Sequence, residues 1–193
     1  MSAAINRQYL LKSYPEQALG TDNFEYVENS VPVPGEGEFV VRNTLISLDP
    51  AMRGWASPVR SYIEPVKLGD VMRAICGGTV VASRNADFSV GAQVTGLFGL
   101  QDYAVSNGTG VRLALNGVSL EAMMGPVGIT GLTAYFGLFD VGAAKPGETV
   151  LVSAAAGAVG SAVVQMAHHH GCRRQGTHRS PLERARIVSG RSH

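Results

Sequence analysis

The 193-residue chain reads as a mixed β and α/β protein, in which a β-rich segment precedes the opening of a nucleotide-binding α/β fold. Three observations predict this. From Gln8 to about Val111, short apolar, β-branched runs are separated by Gly, Asn, Asp and Pro turn signals, the pattern of an all-β barrel or sandwich. From Gly128 the apolar residues recur at spacings of three and four, as on a helix. Finally, Thr149 to Gly160 (TVLVSAAAGAVG) joins a buried-strand run to a small-residue turn and a helix start.

The elements follow in order. Phe39–Ile46 comes after the turn Val33-Pro34-Gly35-Glu36-Gly37, and Thr79–Ala82, Gln93–Phe98 and Gln101–Val105 are each strand-length between turn residues. Ser119 is an N-cap for a short helix reaching Met124. Gly128–Val141 is expected to be a helix with Ile129, Leu132, Tyr135, Phe136 and Phe139 on one apolar face. The turn Lys145–Glu148 feeds the strand Thr149–Ser153, and a helix of small and apolar residues runs to about His170. A buried second strand of Val, Ile or Leu is then due near Gly171-Cys172. Arg173 to Pro181 is instead polar and basic, so the α/β pattern is expected to break at Arg173 and leave Thr149–Ser153 without sheet neighbours. The expected domains are 1–125, 126–172 and a disordered basic tail over 173–193, the tail arising from a reading-frame shift, premature stop or truncation.

Composition narrows the function classes. Apolar residues form 45% and charged residues 16% of the chain, as in a globular protein. No run of about 18 apolar residues could span a membrane, and the first residues lack an apolar stretch with a cleavage site. A cytoplasmic protein with no membrane partner is expected. Cys76 and Cys172 are too few and too far apart for a disulfide framework or a CxxC zinc site, and are expected to be free thiols. Residues 1–167 carry 10 Lys/Arg against 14 Asp/Glu, whereas 168–193 carry six Arg against one Glu. That basic tail holds no aromatic residue and one short Arg pair, which argues against a nucleic-acid partner. His168, His169 and His170 are adjacent, so on a helix they point about 100° apart and do not converge on one ion; no metal site is expected.

The turn Ala155-x-Gly157-x-x-Gly160 has the spacing of a dinucleotide-binding loop, with alanine in the first position. At such a turn the helix N-terminus points its amides at a pyrophosphate, and small residues allow the close approach. The turn alone is equally readable as a structural one. The preceding strand, the following helix and the β segment upstream favour a dinucleotide.

Four signatures in this order, Leu48-Asp49-Pro50-Ala51-Met52-Arg53-Gly54, Leu68-Gly69-Asp70-Val71-Met72, Gly131-Leu132-Thr133-Ala134-Tyr135-Phe136-Gly137 and Val152 to Gly160, resemble the medium-chain dehydrogenase/reductases. Within them they resemble the zinc-independent, NADPH-dependent alkenal/enone reductases that include prostaglandin, leukotriene and curcumin reductases. The resemblance covers roughly residues 5–172 and implies a GroES-like β-barrel domain followed by the start of a Rossmann domain, in a family usually homodimeric. It implies hydride transfer from NADPH to the β-carbon of an α,β-unsaturated ketone or aldehyde, without a metal. It places Ala155, Gly157, Ala158, Val159 and Gly160 under the pyrophosphate, Thr130 and Thr133 by the nicotinamide half, and Met52 and Arg53 at the cofactor and substrate cleft. Each has a packing alternative: Thr133 in its own helix, Met52 in the core, Arg53 as a surface partner. The catalytic acid is not assigned. The family's lysine and tyrosine for the 2′-phosphate, its pocket tyrosine and its C-terminal segment have no counterpart here. A non-catalytic GroES-like binding or dimerisation module and a quinone-reductase relative are the alternatives.

Overall fold

The structure, a computed structural model, describes residues 4–59 and 63–176. It divides into two compact units, the first ending at Glu121 and the second beginning at Ala122.

In the first unit, β1 (Ile5–Leu11) and β2 (Phe24–Ser30) form an antiparallel hairpin in the register Ile5↔Ser30 to Leu11↔Phe24. Then come β3 (Phe39–Ile46), the short helix α1 (Ala51–Trp55), β4 (Ile75–Ser83), β5 (Gln93–Leu97), β6 (Tyr103–Ser106) and β7 (Arg112–Leu113). These five strands make one antiparallel sheet in the order β6-β3-β4-β5-β7. The hairpin joins the rest through the bridges Gln8↔Gln101 and Leu10↔Val71. Alternation places Phe39 and Val41 of β3, Cys76 and Val80 of β4 and Val94 of β5 in a common core with Leu11, Met72 and Ala74, while α1 adds Met52 and Trp55. Gly78 is required where β4 crosses a bulge in β3, since a Cβ there would lie 2.3 Å from the Arg42 carbonyl oxygen.

Arg7 fastens the hairpin to the segment before β6. Its Nε donates to Asp102 Oδ2 at 2.6 Å and its Nη2 to Oδ1 at 3.2 Å. These hydrogen bonds, aided by the guanidinium charge, hold the Asp102 carboxyl below its ordinary pKa. A lowered folded-state value stabilises the protein above the unfolded carboxylate pKa and ceases to do so as pH falls through the folded one. Asp102→Asn is therefore expected to lower the melting temperature modestly near neutrality, the difference from wild type shrinking as the pH falls through the lowered Asp102 pKa. Thermal melts from neutral to acid pH check it, and a difference independent of pH would contradict it.

In the second unit, α2 (Leu120–Met124), which straddles the division, leads to α3 (Ile129–Tyr135), a π-helical turn (Phe136–Val141), β8 (Thr149–Val152), α4 (Ala158–His169) and β9 (Arg173–Gly176). The helix expected over Gly128–Val141 widens at Phe136, where Gly142 N–H reaches back five residues to the Gly137 carbonyl at 3.0 Å. The buried face is also not the expected one. Gly131, Ala134 and Leu138 are buried, whereas Ile129, Leu132, Tyr135 and Phe136 are exposed, Phe136 by 53%. α3 packs against α4, and at Gly131 a side chain is excluded by the preceding turn, where a Cβ would lie 1.8 Å from the Pro126 carbonyl oxygen.

The expected break at Arg173 is corrected. α4 ends in a Schellman motif: Gly171, at φ 83°, turns the chain, with Cys172 N–H on the Ala167 carbonyl at 2.9 Å and Gly171 N–H on that of His168 at 3.0 Å. The chain then returns as β9, parallel to β8 in the register Thr149↔Arg173 to Val152↔Gly176. Burial of Val or Ile was the criterion that failed, since Arg173, Arg174 and Gln175 pair through their backbone while remaining exposed. The strand Thr149–Val152 thus has one neighbour among the described residues. The expectation of a disordered tail otherwise concerns residues 177–193, outside the described residues.

Candidate cofactor site

β8 ends in a sharp turn in which Ala154 adopts φ 49°, a left-handed conformation uncommon for alanine. Gly157 N–H closes the turn on the Ala154 carbonyl at 2.8 Å, and Gly157, with φ −74° and ψ 171°, is the N-cap of α4. The two glycines of the turn serve different purposes. A Cβ at Gly157 would lie 3.1 Å from the Ala154 oxygen, a tight contact, whereas one at Gly160 would lie 2.3 Å from that oxygen and 3.0 Å from Ala155 Cα. Gly160 is therefore what lets the helix sit directly on the strand. The first N–H groups of α4, those of Ala158, Val159 and Gly160, have no carbonyl one turn back within the helix and carry the positive end of its dipole.

Beside this turn lies a cavity of about 640 Å³, lined by Ser153, Ala154, Gly157, Val159 and Gly160, by β8 and by Gly137, Leu138 and Gly142 of the π-helical region. An unpaired helix N-terminus, small side chains and an adjoining cavity fit a diphosphate. Ala155 is buried beneath the turn and Ala158 is exposed, and neither lines the cavity. Thr130 and Thr133 do not line it either. Thr133 Oγ1 donates to the Ile129 carbonyl at 2.7 Å, a bond within its own helix.

The first unit carries the other expected site residues. Met52 is 7% exposed and belongs to the β core. Arg53 is exposed, but its Nε and Nη2 donate to the Gln17 carbonyl at 3.2 and 2.7 Å, tying α1 to the loop before β2. Asp49, between β3 and α1, is a residue the sequence reading passed over. Its Oδ2 is buried and has no hydrogen-bond partner. Burial pushes the Cys76 thiol up to about 12, so it is protonated and inert at neutral pH. At the end of α4, His170 Nε2 lies 3.1 Å from the Ala144 oxygen and its ring lies edge-on to Phe139, with centroids 4.9 Å apart. Among the described residues, no group of three or more His, Cys, Asp or Glu could hold a metal ion, and no helix is long and apolar enough to cross a membrane.

Residues 7–113 match the family described as the N-terminal domain of oxidoreductase. The NADPH-dependent curcumin reductase of Escherichia coli is 42% identical over 172 residues, covering 87% of this chain and 49% of that protein. Prostaglandin reductase 1 of Rattus norvegicus is 38% identical over 175 residues, covering 89% and 51%. The crystal structure of CurA from Vibrio vulnificus superposes with a TM-score of 0.86 at 40% identity, over 96% of this chain and 55% of that one, and CurA has also been solved in complex with NADPH. The chain spans about half the length of the curated relatives it matches.

A GroES-like β domain followed by the strand, turn and helix that open a Rossmann domain defines a medium-chain dehydrogenase/reductase. Within that class, the chain belongs to the oxidoreductase family marked by this N-terminal domain, alongside the curcumin and prostaglandin reductases.

Proposed function

We propose that the chain carries the substrate domain and the first cofactor-binding turn of an NADPH-dependent reductase of α,β-unsaturated ketones and aldehydes. The observation that carries this reading is the turn Ala154–Gly160, where a Cβ at Gly160 would lie 2.3 Å from the Ala154 carbonyl oxygen and α4 opens beside a cavity. The kinship with a curcumin reductase, and with a CurA solved with NADPH, supports the choice of cofactor and substrate class.

When bound, NADPH would supply the hydride for the β-carbon, the resulting enolate being completed by a proton at the α-carbon. This chain's part is to bind and orient. The amides of Ala158, Val159 and Gly160 receive the diphosphate, with Ala155 and Gly157 shaping the turn. Thr130 and Thr133 belong to the nicotinamide side, and Met52 and Arg53 to the cofactor and substrate cleft. Core packing of Met52 and the two hydrogen bonds that Arg53 donates to the Gln17 carbonyl fix the segment that holds them. The domains proposed are 1–125 and the start of a Rossmann domain from 126, extended past 172 by β9, the assembly a homodimer and the compartment the cytoplasm.

The test is NADPH loss at 340 nm with butenone, against butanone, which lacks the C=C bond, and against a protein-free control. Loss with butenone alone is expected. A folded, NADPH-binding chain that leaves butenone untouched would favour the non-catalytic module.

A further inference from the structure

We propose that the free edge of β8 is a self-association surface, on which β8 of a second copy of this chain pairs antiparallel. This assigns an interface to the homodimer proposed above and does not depend on the reductase reading. Side chains of a strand alternate between two faces, so a cavity on one face touches every second residue. The cavity beside α4 instead touches every residue from Glu148 to Ala154, and so runs along the edge of the strand. The hydrogen bonds agree. Arg173 N–H donates to the Glu148 carbonyl at 2.8 Å. In a parallel ladder this turns the polar backbone groups of Val150 and Val152 to β9, and those of Thr149 and Leu151 the other way, to the cavity. Among the described residues, no strand pairs with that edge.

The two strands of this sheet differ in charge, and that selects the occupant. β9 carries Arg173 and Arg174, both exposed, and charged side chains are a device that keeps an edge from pairing. β8 has no such device: Thr149 to Gly160 contains no charged residue and no proline, and Leu151 is 68% exposed. An uncharged, apolar edge is complementary to another of its own kind. Pairing about Leu151 sets Leu151 opposite Leu151 and Val150 opposite Val152, and gives the outward amides and carbonyls partners. Val150 packs on the α4 side of the sheet, so the valines of the second copy enter the cavity, whose walls include Gly137, Leu138 and Val163. The contact is isologous and leaves an Arg-bearing β9 at each outer edge of the joined sheet, so association stops at the dimer.

The test is sedimentation of the full chain over a concentration series, beside Leu151→Lys and a control, Val105→Lys, which puts the same charge on β6, an edge strand of the other sheet. Wild type and Val105→Lys are expected to pass from monomer to dimer as concentration rises. Leu151→Lys sets two like charges face to face and is expected to associate more weakly by about tenfold or more. The Leu151 side chain is exposed, so the dilute variant should melt close to wild type. Hydrogen exchange reads the same edge: the amides of Thr149 and Leu151 should exchange freely in dilute wild type and be protected in concentrated wild type. A wild type that is monomeric throughout overturns both the interface and the homodimer. A dimer undiminished in Leu151→Lys, or weakened equally in Val105→Lys, overturns the interface alone. Protection of those amides already in the dilute monomer assigns the edge to another part of the same chain, and overturns the proposal as well.

Discussion

Replacing Gly160 with alanine is expected to cut NADPH affinity more than tenfold and to lower the melting temperature of the second unit, although the change adds one methyl group. The added Cβ would stand 2.3 Å from the Ala154 carbonyl oxygen and 3.0 Å from Ala155 Cα. All of these are backbone atoms of the turn, so no side chain can give way. Relief requires α4 to lift from β8, at an overpacking cost of about 1–3 kcal/mol. Lifting also moves the amides of Ala158 to Gly160 away from the place where, on the proposed reading, they would receive the diphosphate. Gly157→Ala is the control: its Cβ would meet one oxygen at 3.1 Å, and its φ of −74° suits alanine. It should lose much less of both properties. Thermal melts and fluorescence titration of the two variants check the pair, and equal behaviour would contradict the division of roles.

The second large effect lies in the β unit. Phe39 is fully buried on β3, between β4 and β6, and stacks on Phe88 with centroids 4.4 Å apart. Phe39→Ala removes those contacts and leaves a cavity, at about 3–5 kcal/mol, against a total stability of about 5–15 kcal/mol for a typical domain. The urea midpoint should fall sharply, with most soluble protein lost at 37 °C. A midpoint within error of wild type would show that the core is not organised around β3.

How much of this was legible in the sequence depended on whether the deciding force was local. Phe39–Ile46 is a strand in both reading and structure, because an apolar, β-branched run set between turn residues carries its signal locally. The strand, turn and helix over Thr149–His169 were legible for a similar reason: Gly157 and Gly160 are spaced by the turn geometry they serve. β9 was not. Arg173-Arg174-Gln175-Gly176 has no strand signature, and its pairing comes from the place where Gly171 sends the chain after α4. The face of α3 was misread because pattern rewards the largest apolar side chains, whereas the buried residues are the small Gly131 and Ala134, Gly131 lying against the Pro126 backbone of the preceding turn. Asp49 was illegible because an unsatisfied oxygen is defined by what surrounds it in space.

The most direct test of the central claim is a fluorescence titration of this chain with NADPH, with 2′,5′-ADP as competitor, alongside Gly160→Ala. A nucleotide site at the Ala154–Gly160 turn predicts saturable binding, displaced by 2′,5′-ADP and lost in the variant. Absence of binding by a folded wild type, or undiminished binding by Gly160→Ala, would contradict it.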